Sequence, residues 1–280
     1  MLKIAAFADE ISPELDEQIS VCKANGVEQF ELRGVYGKNV LDFDDAVRRE
    51  IKSKLEANGM SVVSIGSPIG KVAIDLPFKD HLDRFKIAVD SAMFFRAPYI
   101  RVFSYYPPGG EGKGDIAPHR TEVIDRFHKK LELVKGLPVT LVHENEKGIF
   151  GDIGPRCVDL MQAVNHPQLR TAFDFANFVQ CSQKPLDIWP QLKPFTVHIH
   201  IKDAVWGSGK VVPAGEGDGQ LKEILVDAYQ SGYRGSVSLE PHLKVAAHSH
   251  GETGADLFKV AADALKKLCA EIDVPLAKFG

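Results

Sequence analysis

Val139-Thr-Leu-Val-His-Glu144-Asn-Glu-Lys-Gly148 is the stretch from which the fold of this chain can be read. An apolar, β-branched run stops abruptly at His143-Glu144-Asn145-Glu146, the pattern of a buried strand whose carboxyl end opens into a polar loop. A carboxylate at such a place is costly to bury unless something pairs with it. Three later runs end the same way: Arg170-Thr-Ala-Phe-Asp174, Thr196-Val-His-Ile-His200 and Ser236-Val-Ser-Leu-Glu240. From Glu144 to Asp174 is 30 residues and from Asp174 to His200 is 26, close to one βα unit each. The last interval is 40, and the polar, Gly-rich excursion Trp206–Gly219 accounts for the excess.

Working outward, the pattern predicts eight strands, each followed by a helix. The strands are Leu2–Ala8, Gln29–Arg33, Ser61–Ile65, Tyr99–Phe103, the run ending at Glu144, and the three just quoted. The helices are Ser12–Gly26 with Pro13 at its favoured first position, Phe43–Asn58, Phe78–Arg96, Arg120–Lys135, Pro155–Val164, Leu186–Leu192, Leu221–Ser231 and Ala255–Ala270. Eight regular βα units with no linker-like break in composition indicate an α/β protein, one (β/α)8 TIM barrel over residues 1–280. A doubly wound open sheet is the alternative. It would more often carry a glycine-rich turn after strand one, where this chain has Ala8-Asp9-Glu10-Ile11-Ser12.

Composition narrows the function classes. The chain is 44% hydrophobic and 26% charged, with a net charge of −4 and a pI near 6.2. That balance argues against a general affinity for nucleic acid or anionic membrane. No apolar run approaches the ~20 residues of a membrane span. The N-terminal run Met1–Asp9 suits a first strand better than a secretion signal. Cys22, Cys157, Cys181 and Cys269 are far apart, and Cys22 and Cys269 fall in helical patterns as small buried hydrophobes. A reduced, cytoplasmic protein is the expectation, with a small carbohydrate as partner and self-association left open.

In a barrel, active sites form at the carboxyl ends of the strands. Two Glu, one Asp and one His at four consecutive strand ends make a divalent-metal set: Glu144, Asp174, His200 and Glu240. Each has a blander role open to it. Glu144 suits a rim carboxylate paired with an arginine, Asp174 an N-cap or Asx turn, and Glu240 a simple strand end. Four unrelated polar caps in a row explain the pattern poorly. His198 shares a strand face with His200 but lies deeper, which suits a hydrogen-bonded histidine beneath the ligand. Glu10, Glu31, Arg33 and Arg101, with Asp9, sit near the mouths of strands one, two and four. Singly they suit rim salt bridges; together they suit a pocket that reads hydroxyl groups. Lys202 and Asp203 follow His200, and Glu146 has the strand parity of Glu144. Tyr105–Gly114 is long enough to act as a lid.

The Glu-Asn pair closing strand five, Phe173-Asp174-Phe175-Ala176-Asn177, His198-Ile-His200-Ile-Lys202-Asp203 with Pro213-Ala-Gly215-Glu-Gly217, and Leu239-Glu240-Pro241 resemble the xylose-isomerase-like superfamily. More narrowly, they are similar to its sugar phosphate isomerase/epimerase branch, over nearly the whole chain. The resemblance implies one divalent ion on Glu144, Asp174, His200 and Glu240, commonly Mn²⁺, with Mg²⁺, Co²⁺ or Zn²⁺ as alternatives. It also implies that Glu144 and Glu240 serve as acid and base on opposite faces of a ketose. The chemistry is coherent: a metal chelating carbonyl and hydroxyl oxygens stabilises an enediolate, and a carboxylate kept ionised beside it takes the proton. Two positions depart from the ketose 3-epimerases, Asn177 where they tend to carry His and Trp206 where they tend to carry Arg. Both positions are substrate contacts in that resemblance, and Trp206 suits either stacking on a sugar face or covering the rim.

The expectation is therefore a metal-dependent isomerase or epimerase of a sugar, keto-sugar or cyclitol. A dehydratase or lyase on the same metal site is the main alternative. An apurinic-site endonuclease needs several metals, many histidines at strand ends and a basic face, which this chain lacks. A non-catalytic sugar sensor is the remaining class.

Overall fold

The computed structural model describes residues 1–244 and 252–278. Eight parallel strands form a closed ring: β1 Lys3–Ala6, β2 Gln29–Leu32, β3 Ser61–Ile65, β4 Tyr99–Val102, β5 Thr140–Glu144, β6 Leu169–Asp174, β7 Thr196–Ile201 and β8 Ser236–Leu239. Each strand pairs with its chain neighbours, and β1 closes on β8 in the register Ile4↔Val237. Asp174 lies beside His200, and His200 beside Ser238, so the polar ends of three strands meet by register alone.

Among the described residues there are nine α-helices: α1 Leu15–Ala24, α2 Asp45–Ala57, α3 Phe78–Phe95, α4 Arg120–Val134, α5 Gly154–Val164, α6 Phe175–Gln180, α7 Pro185–Leu192, α8 Leu221–Gln230 and α9 Gly254–Glu271. Most ends lie within a residue or two of expectation. The exception is the entry to α1. Tyr36 donates its amide to the Pro13 carbonyl at 2.7 Å, which keeps Pro13 outside the helix. Ser12 instead accepts the Glu14 amide at 3.1 Å, and a single 3-10 turn, Ala8–Glu10, leaves β1 directly. The short α6 was not anticipated. It starts because the Asp174 carboxylate accepts the Asn177 amide as an N-cap.

Side-chain alternation divides the barrel into two environments. Ile4, Phe30, Leu32, Ile100, Val102, Ile199, Ile201, Val237 and Leu239 belong to the apolar core beneath the helices. Ala5, Glu31, Ser64, Arg101, Val142, Ala172, His198, His200 and Ser238 alternate with them, are equally buried, and fill the inside of the ring. Cys22 and Cys269 are buried in helices as expected. The base of the expected lid is anchored, with the Tyr105 and Tyr106 amides donating to Gly70 and Val72. No helix among the described residues is long and apolar enough to cross a membrane.

Candidate metal centre

Glu144 ends β5, Asp174 ends β6, His200 is the penultimate residue of β7, and Glu240 follows β8. All four are buried, and each offers a ligand atom within 4.8 Å of the others. His200 Nδ1 lies 3.3 Å from Glu144 Oε1, 3.6 Å from Glu240 Oε2 and 3.9 Å from Asp174 Oδ2. Local bonds hold this arrangement. The Asn145 amide group takes both backbone groups of Asp174, at 2.9 and 3.0 Å. Asp174 Oδ1 is spent on the Asn177 amide at 2.7 Å, which leaves Oδ2 for the centre. Asn177 Nδ2 in turn donates to Glu144 Oε1 at 3.2 Å and to the Asn145 carbonyl at 2.8 Å. Neither nitrogen of the buried His200 ring makes a hydrogen bond among the described residues, and Asp174 Oδ2 meets the Lys202 ammonium at 3.0 Å. Three carboxylates and one imidazole converging, with the imidazole's Nδ1 unpartnered among them, suit a divalent cation.

Cations surround the acids. Lys202 Nζ lies 3.0 Å from both Asp174 Oδ2 and Glu240 Oε2. Arg101 Nη1 lies 3.0 Å from Glu144 Oε2 and 3.5 Å from Glu240 Oε1, and Arg33 Nη1 is 3.4 Å from the same Glu240 atom. The acids respond unequally. Burial pushes Glu144 up, but His200 and Arg101 outweigh it and hold the group at about 2. Glu240 is likewise held well below the usual range, burial being outweighed by Lys202 and His242. For Asp174, burial, aided by the charges of Glu144 and Glu240, prevails over Lys202 and lifts it to about 7. Three carboxylates this close cannot all ionise freely without a further cation, and Asp174 bears the cost.

The other candidate residues divide by depth. Glu10 accepts from the His242 amide and the Thr253 hydroxyl, and Arg33 bonds Asp9 at 2.7 Å. Arg33, Arg101, Asn177 and Lys202 touch the four central residues directly. Glu146 stands further out, paired with Lys71 at 2.7 Å. Glu31 lies beneath the centre, bonded to His198 at 2.7 Å, and His198 is the hydrogen-bonded histidine expected there. Asp203 faces the following loop, where it accepts the amides of Ala204, Gly215, Gly217 and Gly219 at 2.8–3.0 Å. Trp206 is 44% exposed on that loop.

Two residues at the centre are not marked by the sequence pattern. His242 Nε2 lies 3.1 Å from Glu10 Oε1 and 3.6 Å from Glu240 Oε1, and despite burial Glu10 lifts its imidazole to about 9. Its place two residues past Glu240 was the available signal. Phe7 carries the Arg33 and Arg101 guanidinium groups at 4.7 Å each from its ring centre, and meets the His200 ring edge-on at 5.3 Å. A lone Phe at a strand end carries no signal of that kind.

Fold and centre together describe a parallel barrel with a candidate divalent-metal site at the carboxyl ends of its strands. The chain belongs to the xylose isomerase-like TIM barrel family, whose pattern matches residues 19–275. It is 24% identical over 181 residues to a 3-dehydroshikimate dehydratase of Bacillus anthracis, a match covering 64% of this chain. The chain spans 62% of the length of that curated relative. Among solved structures it resembles a D-tagatose 3-epimerase-like protein, with a TM-score of 0.77, 13% identity, and 97% and 98% of the two chains covered. It also resembles a 3-keto-D-glucoside 4-epimerase from E. coli, with a TM-score of 0.71, 15% identity, and 96% and 100% covered. At those identities the likeness is one of fold.

Proposed function

We propose that this protein is a divalent-metal-dependent isomerase or epimerase of an unphosphorylated sugar, keto-sugar or cyclitol. The observation that carries this is the convergence of two carboxylates, Glu144 and Glu240, on His200 Nδ1 at 3.3 and 3.6 Å, each paired with its own cation. A bound ion, Mn²⁺ by family resemblance, would be held by Glu144, Asp174, His200 and Glu240 and would supply Lewis-acid polarisation of a carbonyl. Glu144 and Glu240 are the acid/base pair. One removes the proton from the carbon next to the carbonyl, and the other returns a proton on the opposite face for epimerisation. Isomerisation needs one of them to move the proton between neighbouring carbons. Arg33, Arg101 and Lys202 keep the acids charged and are placed to hold substrate oxygens. The case against a phosphorylated substrate is Asp203, whose carboxylate fills the ring of loop amides where barrels often bind phosphate.

A second reading, a dehydratase, is favoured by the match to 3-dehydroshikimate dehydratase. Its first step is the same proton removal, followed by loss of a β-hydroxyl as water. Protonated His242 or Lys202, both beside Glu240, would give the leaving oxygen its proton.

Proton NMR in D₂O over a panel of ketoses, 3-keto-glycosides, keto-inositols and cyclic keto-acids, with and without phosphate, separates these readings. The expected result is deuterium next to the carbonyl in an isomer or epimer. Loss of water would establish the dehydratase instead. Turnover of phosphorylated substrates alone would overturn the role given to Asp203.

A further inference from the structure

The acid/base scheme makes no use of Glu31. This residue projects from β2 into the inside of the ring, where it is wholly buried. Barrel interiors are ordinarily filled by branched apolar side chains. Here the surroundings are small and polar. Ser64 and Ser238 are buried, and their hydroxyls find no hydrogen-bond partner among the described residues. A carboxylate so placed is expensive unless it is paired, and among the described residues the ion-pair partners of Glu31 are histidines. Its Oε2 lies 2.7 Å from His198 Nε2 and 3.2 Å from His200 Nε2.

The two nitrogens of His200 therefore face opposite ways. Nδ1 faces the oxygens of Glu144, Glu240 and Asp174 at 3.3–3.9 Å, while Nε2 faces Glu31 at 3.2 Å, an ion-pair distance without a formed hydrogen bond. A nitrogen that ligates a cation must present its lone pair, so the ring proton belongs on the other nitrogen.

We infer that Glu31 is a positioning residue for the metal centre: it holds the His200 proton on Nε2 and so presents the Nδ1 lone pair to the ion. His198 orients the Glu31 carboxylate by sharing the same oxygen. Phe7, edge-on to His200 at 5.3 Å, limits rotation of the ring. A carboxylate behind a ligating histidine also makes the imidazole a stronger donor. This inference rests on the metal reading of the centre and adds a residue outside the ligand set.

The test measures the affinity of the purified protein for Mn²⁺ alone, by competition with a chelator, in wild type, Glu31→Gln and Glu31→Ala. The expected losses are about tenfold for Gln, which keeps the shape and an acceptor, and about a hundredfold for Ala. With Co²⁺ as probe, the visible absorption of Glu31→Gln shifts from that of wild type. A purely structural role would lower the melting temperature of the metal-free variants and leave Mn²⁺ affinity within twofold, which would overturn the inference alone. Wild type needs no variant for the second measurement. Long-range ¹H–¹⁵N NMR of the Zn²⁺-loaded protein should show His200 protonated at Nε2 and metal-bound at Nδ1, and the reverse assignment overturns the inference. A wild type that binds no divalent ion overturns the metal reading and this inference with it.

Discussion

The molecule buries charge in two regions, and it does so in opposite ways. At the barrel mouth Glu144, Asp174 and Glu240 are interleaved with Arg33, Arg101 and Lys202, each cation within 3.5 Å of an acid. Along the wall between α3, α4 and β5 the buried groups are Arg126, Lys130, His81 and His143. There Arg126 meets Glu122, whereas Lys130 Nζ finds no hydrogen-bond partner among the described residues. It lies over the rings of Phe127 and Tyr105, 4.0 and 4.9 Å from their centres. Burial, with Arg126 adding to it, pulls Lys130 down to about 7. Burial and the Lys130 charge pull both His81 and His143 down to about 3. The mouth keeps Glu144 and Glu240 charged by opposing them with cations, at the expense of Asp174, whereas the wall tolerates Lys130, His81 and His143 by favouring their neutral forms. Only a region of the first kind can hold a cation and still offer an ionised base.

Substitutions at the mouth should break this contrast most severely. Glu144→Gln or Glu240→Gln is expected to cut turnover by roughly 10²–10⁴-fold with the circular dichroism unchanged. More than a few per cent of wild-type activity in either variant removes that residue from the acid/base pair. Arg101→Met deprives Glu144 of its buried partner, and breaking such a pair costs about 3–5 kcal/mol. Urea unfolding of the metal-free protein reads this, and saturating Mn²⁺ should restore part of the loss. An Arg101→Met protein as stable as wild type would mean that the mouth does not depend on opposed charges.

The wall should respond with the opposite sign. Lys130→Met is expected to stabilise the protein by about 1–4 kcal/mol, because it replaces a poorly partnered buried ammonium with apolar volume. The pH dependence follows from a folded-state value of about 7 against the ordinary lysine value of 10.5. Below about pH 7 both states carry the charge, and the penalty is fully present. As pH rises toward 10.5 the folded state has lost its proton and the unfolded state has not, so wild type gains stability. The advantage of Lys130→Met should therefore shrink over that window; an advantage independent of pH would show that packing alone is responsible. Trp206→Ala, on the exposed loop, should change stability by less than about 0.5 kcal/mol. A raised KM for substrate in that variant would mark stacking on a sugar, and an unchanged KM would leave Trp206 as rim cover.

Eight strand–helix alternations could be read from the chain because each signal is local: apolar periodicity, a capping residue, a closing glycine. The four polar strand ends were visible for the same reason, since β5 to β8 each carry one. The first half was less legible. Arg33 and Arg101 read as rim residues, yet nothing local pairs them with Glu240, 207 and 139 positions away. Glu31 reads as a rim residue too, because strand parity says that a side chain points inward but not how deep it lies. Pro13 suggested a helix start, and a hydrogen bond from Tyr36 overrode it. His242 and Phe7 join the centre through contacts that only closing the barrel creates.

By itself, then, the sequence determined the order of the elements and which residues lie at the ends of strands, because these follow from periods of 2 and 3.6 within one segment. The tertiary structure alone decided which ends meet, which acid faces which cation, and which face of His200 turns outward. Those are distances between groups far apart in the chain, set when the ring closes in one register.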